Sequence, residues 1–198
     1  MLMLKKNNQL LFLLVFYLFF KIFTILVLNI YTIPGDLGVR WQILSVNVLE
    51  SDLLGSLYNL HYQPPFWNLI YGIFVKIFGK DFNVLSNCIH GLNILISFFS
   101  IYYFYLVCLL LKLDNLKITI TFLIFFILSP GYLFYETISH YTHLTTLLFA
   151  QLVYYYLKFT GNRSVRYEIR IYAVSLVLVY TWTAFSHPLF ILTIFLGI

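Results

Sequence analysis

The sequence predicts an all-α fold: a polytopic transmembrane helix bundle of about five spans, with interfacial helices in the first loop. Two observations lead there. Of 198 residues, 62% are apolar and 21% aromatic while only 10% are charged, against roughly 25% charged residues in an ordinary soluble domain. The mean hydropathy is +0.90, and the apolar residues run in long blocks of Leu, Ile, Phe and Tyr rather than in the alternation of a half-buried sheet. Such a composition excludes a soluble enzyme, a disordered tail and a nucleic-acid module, and it makes membrane lipid the first partner.

A helix needs about 20 apolar residues to span the hydrocarbon core, with every backbone polar group bonded internally. Five segments meet or approach that length: Leu10 to Ile33, Val84 to Leu111, Ile118 to Tyr135, His143 to Phe159 and Ile171 to Ser186. The first follows Lys5 and Lys6, but its run is too long for a signal-peptide core and has no small-residue cleavage pattern, so it reads as a retained anchor. Lys21 falls inside it, and a flexible lysine there is expected to snorkel toward the headgroups. In the second span, His90 reads as a hydrogen-bonded core residue. Cys88 and Cys108 are twenty positions apart on that same segment, about 30 Å along a helix, so they read as separate buried thiols. The last run, Pro188 to Ile198, is apolar without a polar flank, which suggests the N-terminal part of a larger domain.

Basic residues collect on cytoplasmic loops. With the N-terminus inside, Lys5, Lys6, Lys112, Lys117, Lys158, Arg163, Arg166 and Arg170 all face the cytoplasm, eight of the twelve. Asp36, Glu50, Asp52, Asp81 and Glu136, five of the seven acids, then face outside with His61, His140, His143 and His187. The expected location is a cell membrane, or an endoplasmic reticulum membrane in a eukaryote. The sequon Asn162-Arg163-Ser164 falls on the cytoplasmic side in this topology and is read as chance.

The outside loop, residues 34–82, is about fifty residues long, too many for a structureless connection, so it should fold at the interface. Leu37, Trp41, Leu44 and Val48 recur at helical spacing and predict a helix lying on the membrane surface. Pro65 suits the first turn of a second helix, which should run to about Phe78, end at Gly79 and fall short of a span.

Several of these residues carry chemistry on their own terms. Asp36 could act as a general base at the membrane surface or cap the helix after it. Arg40, one turn on, could pair with a phosphate or stay solvated; Lys76 and Lys80 are weaker versions of the same. His61 could line an acceptor site or rest in the interface. Glu136, His140 and His143 follow E-x-x-x-H-x-x-H, and on one helix they would share a face. They are then candidates for a divalent metal or a phosphate contact, the bland alternative being a polar collar at the end of a span. No cofactor beyond that possible metal is indicated.

An acid soon after the first span, then a surface helix, then His61-Tyr62-Gln63-Pro64-Pro65-Phe66 running on to Phe78-Gly79, resembles the polytopic type C glycosyltransferases (GT-C). The likeness is to their protein-mannosyltransferase-like branch, which uses polyprenyl-phosphate sugars. It continues at Tyr135-Glu136-Thr137-Ile138-Ser139-His140-Tyr141-Thr142 and covers Leu10 to about Phe159. The resemblance implies transfer of a sugar from a lipid-linked donor to an extracytoplasmic glycan, lipid or protein acceptor. It makes Asp36 the catalytic base and gives Pro64 and Pro65 the acceptor side. Arg40, His61, Glu136 and His140 are the remaining substrate-binding candidates. The competing expectation is a non-catalytic membrane subunit or a truncated remnant. A transporter ranks lower, because it would carry paired ionisable groups or a broken helix near mid-membrane and only Lys21 stands out there.

Overall fold

The computed structural model describes residues 2–30, 44–59, 65–111, 113, 116–137 and 140–182. Among the described residues all regular structure is helical: α1 (Leu2–Leu26), α2 (Val46–Ser51), α3 (Leu53–Tyr58), α4 (Pro65–Phe78), α5 (Phe82–Leu110), α6 (Leu116–Leu128), α7 (Pro130–Thr137), α8 (Thr142–Gly161) and α9 (Val165–Trp182).

The two longest helices are built inside out relative to a soluble protein. In α1 the buried stripe is Leu13, Tyr17, Lys21 and Thr24, whereas Leu11, Phe12, Val15, Phe19, Ile22 and Leu26 are exposed. In α5 the polar side chains Ser86, His90, Asn93, Ser97 and Ser100 recur at helical spacing and all are buried. Apolar side chains facing outward around a polar seam suit a lipid surrounding, where helices associate through packing and hydrogen bonds rather than by hiding apolar surface. By length and composition Asn8–Leu26 and Phe82–Leu110 can each cross a membrane, and the bent pair α6–α7 makes a third crossing if it is one span. At 20 and 18 residues, α8 and α9 are long but less apolar.

Contacts fix the direction of each long segment. Along α5 toward its C-terminus, the Tyr17 hydroxyl lies near the Ile94 carbonyl and Leu13 packs with Tyr105, so α1 runs antiparallel to α5. The series Glu136 with Asn93, Tyr132 with Ser97 and Leu123 with Tyr105 makes α6–α7 antiparallel as well. In α8, His143 meets the Tyr132 that reaches Ser97, and Tyr155 meets Tyr103, so α8 runs with α5. Arg170 over Tyr155 and Leu178 in one groove with Thr145 and Phe149 return α9 against α8. The five long segments therefore alternate in direction. Lys117, Lys158, Arg163, Arg166 and Arg170 gather toward the C-terminal end of α5, and Glu50, Asp52 and Asp81 at its N-terminal end.

Three boundaries depart from expectation. The first segment stops at Leu26, short of Ile33, because Asn29 takes a left-handed conformation (φ 53°) and the Ile30 N–H turns back to the Thr24 carbonyl at 3.0 Å. The third is broken at Ser129 and bent by 50°, since Pro130 lacks the N–H and disfavours a helical residue before it. The fifth begins at Val165, ahead of Ile171, because its charged turn is helical; residues 183–186 lie outside the described residues. The surface stripe is also corrected where it is visible. Leu44 precedes α2, and Val46 and Leu49 are buried while Val48 is exposed. Leu37 and Trp41 lie outside the described residues.

Helix α4 matches its expected bounds, from Pro65 to Phe78, followed by Gly79 at φ 72°. It is less a floating surface helix than a packed one: Trp67, Tyr71 and Val75 join Leu49, Leu85, Ile89 and Leu148 in the largest core cluster. At 29 residues α5 is about 44 Å long against about 30 Å of hydrocarbon, and its first turns, through Leu85 and Ile89, give α4 a wall to pack on. The Asp81 carboxylate accepts the Asn83 N–H at 2.9 Å and the Val84 N–H at 3.3 Å, capping α5 at that end. As expected, Cys88 and Cys108 are free thiols on one helix, but they are half-buried rather than buried, because neither points into the seam that α5 turns toward its neighbours.

Candidate functional site

The polar seam between α1, α5 and α7 converges on Glu136. Its carboxylate forms an ion pair with the Lys21 ammonium, and both side chains are almost wholly enclosed. The Tyr17 hydroxyl lies 2.5 Å from Glu136 Oε1 and 3.1 Å from the Ile94 carbonyl; its single proton goes to the carboxylate, the stronger acceptor. Asn93 Nδ2 donates to the Glu136 backbone carbonyl at 2.9 Å, and the Lys21 carbonyl accepts from the Thr24 hydroxyl at 2.9 Å. Lys21 therefore does not snorkel. An unpaired ammonium in an apolar bundle is costly, and a carboxylate one helix away offers a better partner than a distant headgroup.

Asn93 is eleven residues into α5, so the Glu136 level lies about 16 Å along the helix from its N-terminus. Glu136 is thus recessed, not part of an exposed collar, and its carboxylate is engaged by residues of this chain.

Glu136, His140 and His143 do not share a helical face. Helix α7 ends at Thr137, His140 and Tyr141 are outside helices, and α8 starts at Thr142. His143 is buried with its ring edge-on to Tyr132, centroids 4.8 Å apart, and its Nε2 has no hydrogen-bond partner among the described residues. The His140 Nδ1 contacts the Thr142 hydroxyl and its ring stacks on Tyr141 at 4.2 Å. Among the described residues no group of three His, Cys, Asp or Glu converges as a metal would require.

His140 instead opens a groove of ≈ 410 Å³ between α8 and α9. Thr142, Thr145, Thr146 and Phe149 line it at i, i+3, i+4 and i+7, and Leu178 closes it from α9. The Thr145 and Thr146 hydroxyls donate to the Tyr141 and Thr142 carbonyls, each at 2.9 Å, leaving oxygen lone pairs as acceptors. The groove passes from an imidazole and hydroxyls to a phenyl ring and a leucine within about 10 Å of helix. This threonine face was present in the sequence as T-x-x-T-T-x-x-F but lay within a segment read only as a span.

On the loop side, Pro65 begins α4 as expected. Asn68 is fully buried, and its Oδ1 accepts the Leu44 N–H at 2.7 Å, tying the lead into α2 to α4. Lys76 bonds the Glu50 carbonyl and Lys80 pairs with the Glu50 carboxylate at 2.5 Å, so both lysines serve the loop's own packing. Asp36, Arg40, His61 and Pro64 lie outside the described residues, as does His187. No known protein family, curated protein or solved structure matches this chain.

Proposed function

We propose that the chain is the membrane-embedded part of a glycosyltransferase that moves a sugar from a polyprenyl or dolichyl phosphate to an extracytoplasmic acceptor. In this reading all five long segments cross the bilayer, the N-terminus is cytoplasmic, and the end bearing Glu50, Asp52 and Asp81 faces outside. The observation that carries it is the groove between α8 and α9. A polar rim at His140 and Thr142 leading to an apolar wall at Phe149 and Leu178 suits a ligand with a charged head and an isoprenoid tail.

The chemistry follows from that placement. Asp36 accepts the proton of the acceptor hydroxyl as its oxygen bonds to the anomeric carbon. The bond from that carbon to the phosphate oxygen breaks, and the lipid phosphate leaves with the electron pair. Arg40 steadies the charge on the departing phosphate, His61 and the Pro64-Pro65 segment shape the acceptor side, and His140 meets the donor headgroup. Glu136 and His143 serve inside the bundle; a divalent metal at Glu136, His140 and His143 has no support in their arrangement. The acceptor is a glycan, lipid or protein hydroxyl.

The test is transfer from a radiolabelled polyprenyl-phosphate sugar by the full protein in membranes. Asp36→Asn should abolish transfer while leaving expression and thermal stability unchanged. Full activity in that variant removes Asp36 as the base.

A second reading, a transporter component, gains a specific observation: Lys21 pairs with Glu136 on the short helix that follows the break at Ser129, paired charges and an interrupted helix such as those proteins use. Uptake of a labelled solute into proteoliposomes, lost in Glu136→Gln while sugar transfer is absent from the wild type, would favour it. A non-catalytic subunit would show neither activity and no retention of lipid phosphate.

A further inference from the structure

We propose that the turn between α8 and α9, with the tyrosines beside it, binds an anionic phospholipid. Lys158, Arg163, Arg166 and Arg170 fall within thirteen residues, and the one acid among them is Glu168. Arg163 and Arg166 form no ion pair with any described residue, and both are exposed. Arg166 and Arg170 stand one turn apart on α9 and share a face.

Below these cations lies an aromatic floor. The Arg170 guanidinium sits 5.3 Å from the centre of the Tyr155 ring and the Lys158 ammonium 5.9 Å from that of Tyr154. Tyr155 is in turn fixed by its hydroxyl contact with Tyr103 of α5 at 3.1 Å. A guanidinium resting on a ring keeps its N–H edge available, and that edge is the part that grips a phosphodiester.

A second feature of α9 separates a lipid from a free phosphate. Val165, Ile169, Tyr172 and Leu176 recur at i, i+4, i+7 and i+11 and are all exposed, an apolar stripe beginning beside Arg166 and Arg170. A ligand that satisfies the cations and also covers this stripe has an anionic head and a hydrocarbon tail. The site lies at the far end of the bundle from the groove at His140 and stands independently of any sugar transfer.

The full chain, purified in detergent, would be offered equimolar dioleoyl-phosphatidylglycerol and dioleoyl-phosphatidylcholine and the retained lipid counted by native mass spectrometry. The expected result is a preference of about tenfold or more for phosphatidylglycerol, from the combined attraction of several cations for one anionic headgroup. That preference should fall toward unity in R163Q/R166Q/R170Q and should survive an excess of inorganic phosphate or glycerol phosphate. Equal retention of the two lipids by the wild type overturns the proposal without any variant. So does a preference that persists in the triple variant, or displacement of the lipid by free phosphate.

Discussion

Lys21 and Glu136, 115 residues apart in the chain, form a buried ion pair that joins the first long helix to the short helix after the break at Pro130. Neither charge has a route to solvent in this arrangement, and the Tyr17 hydroxyl and Asn93 amide hold the carboxylate's residue from two further sides. Losing one member leaves the other buried without its countercharge. Glu136→Gln or Lys21→Met should therefore each destabilise the protein by about 3–5 kcal/mol, whereas the neutral pair Lys21→Met with Glu136→Gln should recover most of that loss. Thermal unfolding in detergent followed by tryptophan fluorescence checks this. Additive losses in the double variant would mean that the two charges do not depend on one another.

The α2 lead-in is held to α4 by one side chain. Asn68→Ala removes the acceptor of the Leu44 N–H inside a buried contact, a change expected to cost about 1–3 kcal/mol. Hydrogen exchange should show faster labelling of residues 44–51 with α8 unchanged. Unchanged protection at Leu44 would place the stability of that segment elsewhere, in Val46 and Leu49.

The rim of the groove offers a change of polarity at nearly constant shape. Thr146→Val deletes a hydroxyl that donates to Thr142 and presents an acceptor to the groove. If the groove receives the sugar end of the lipid-phosphate donor, a sugar hydroxyl donates to the Thr146 oxygen, and without it the KM for the donor should rise about tenfold, the loss of one good hydrogen bond, with kcat changed less. Phe149→Ala, on the apolar wall, should weaken donors with long isoprenoid tails more than short ones. Equal effects on both tail lengths would separate Phe149 from the tail.

At the opposite end of α4 the cap of α5 can be removed alone. Asp81→Ala loses two backbone contacts at the first turn of the long helix and should lower stability by about 1 kcal/mol without altering sugar transfer, because Asp81 has no part in the proposed chemistry. A loss of transfer at full stability would draw Asp81 into the site.

Much of the architecture was legible because the signals were local. Pro65 and Gly79 mark the two ends of α4 by their backbone constraints, and apolar length marks α1 and α5. The break at Ser129 was equally local, written as Ser-Pro-Gly, yet hydropathy runs unbroken across it and masked it. The charged start of α9 was lost for the reverse reason: Arg166, Glu168 and Arg170 interrupt the apolar run without interrupting the helix. What the sequence could not disclose was pairing. Lys21 and Glu136 stood out separately, but their juxtaposition depends on α1 and α7 both running against α5, which no spacing records. The shared face of Glu136, His140 and His143 assumed a continuous helix, and a non-helical His140 dissolves it.

The proposed function stands or falls on whether a lipid phosphate lies along α8 with its head at His140. Photo-crosslinking of the full protein with a diazirine-bearing polyprenyl phosphate, followed by peptide mapping, tests it most directly. Label should concentrate in residues 140–149 and in the α9 stretch around Leu178, and unlabelled polyprenyl phosphate should compete it away. Label confined to the outward faces of α1 or α5, or label that unlabelled lipid does not displace, would contradict it.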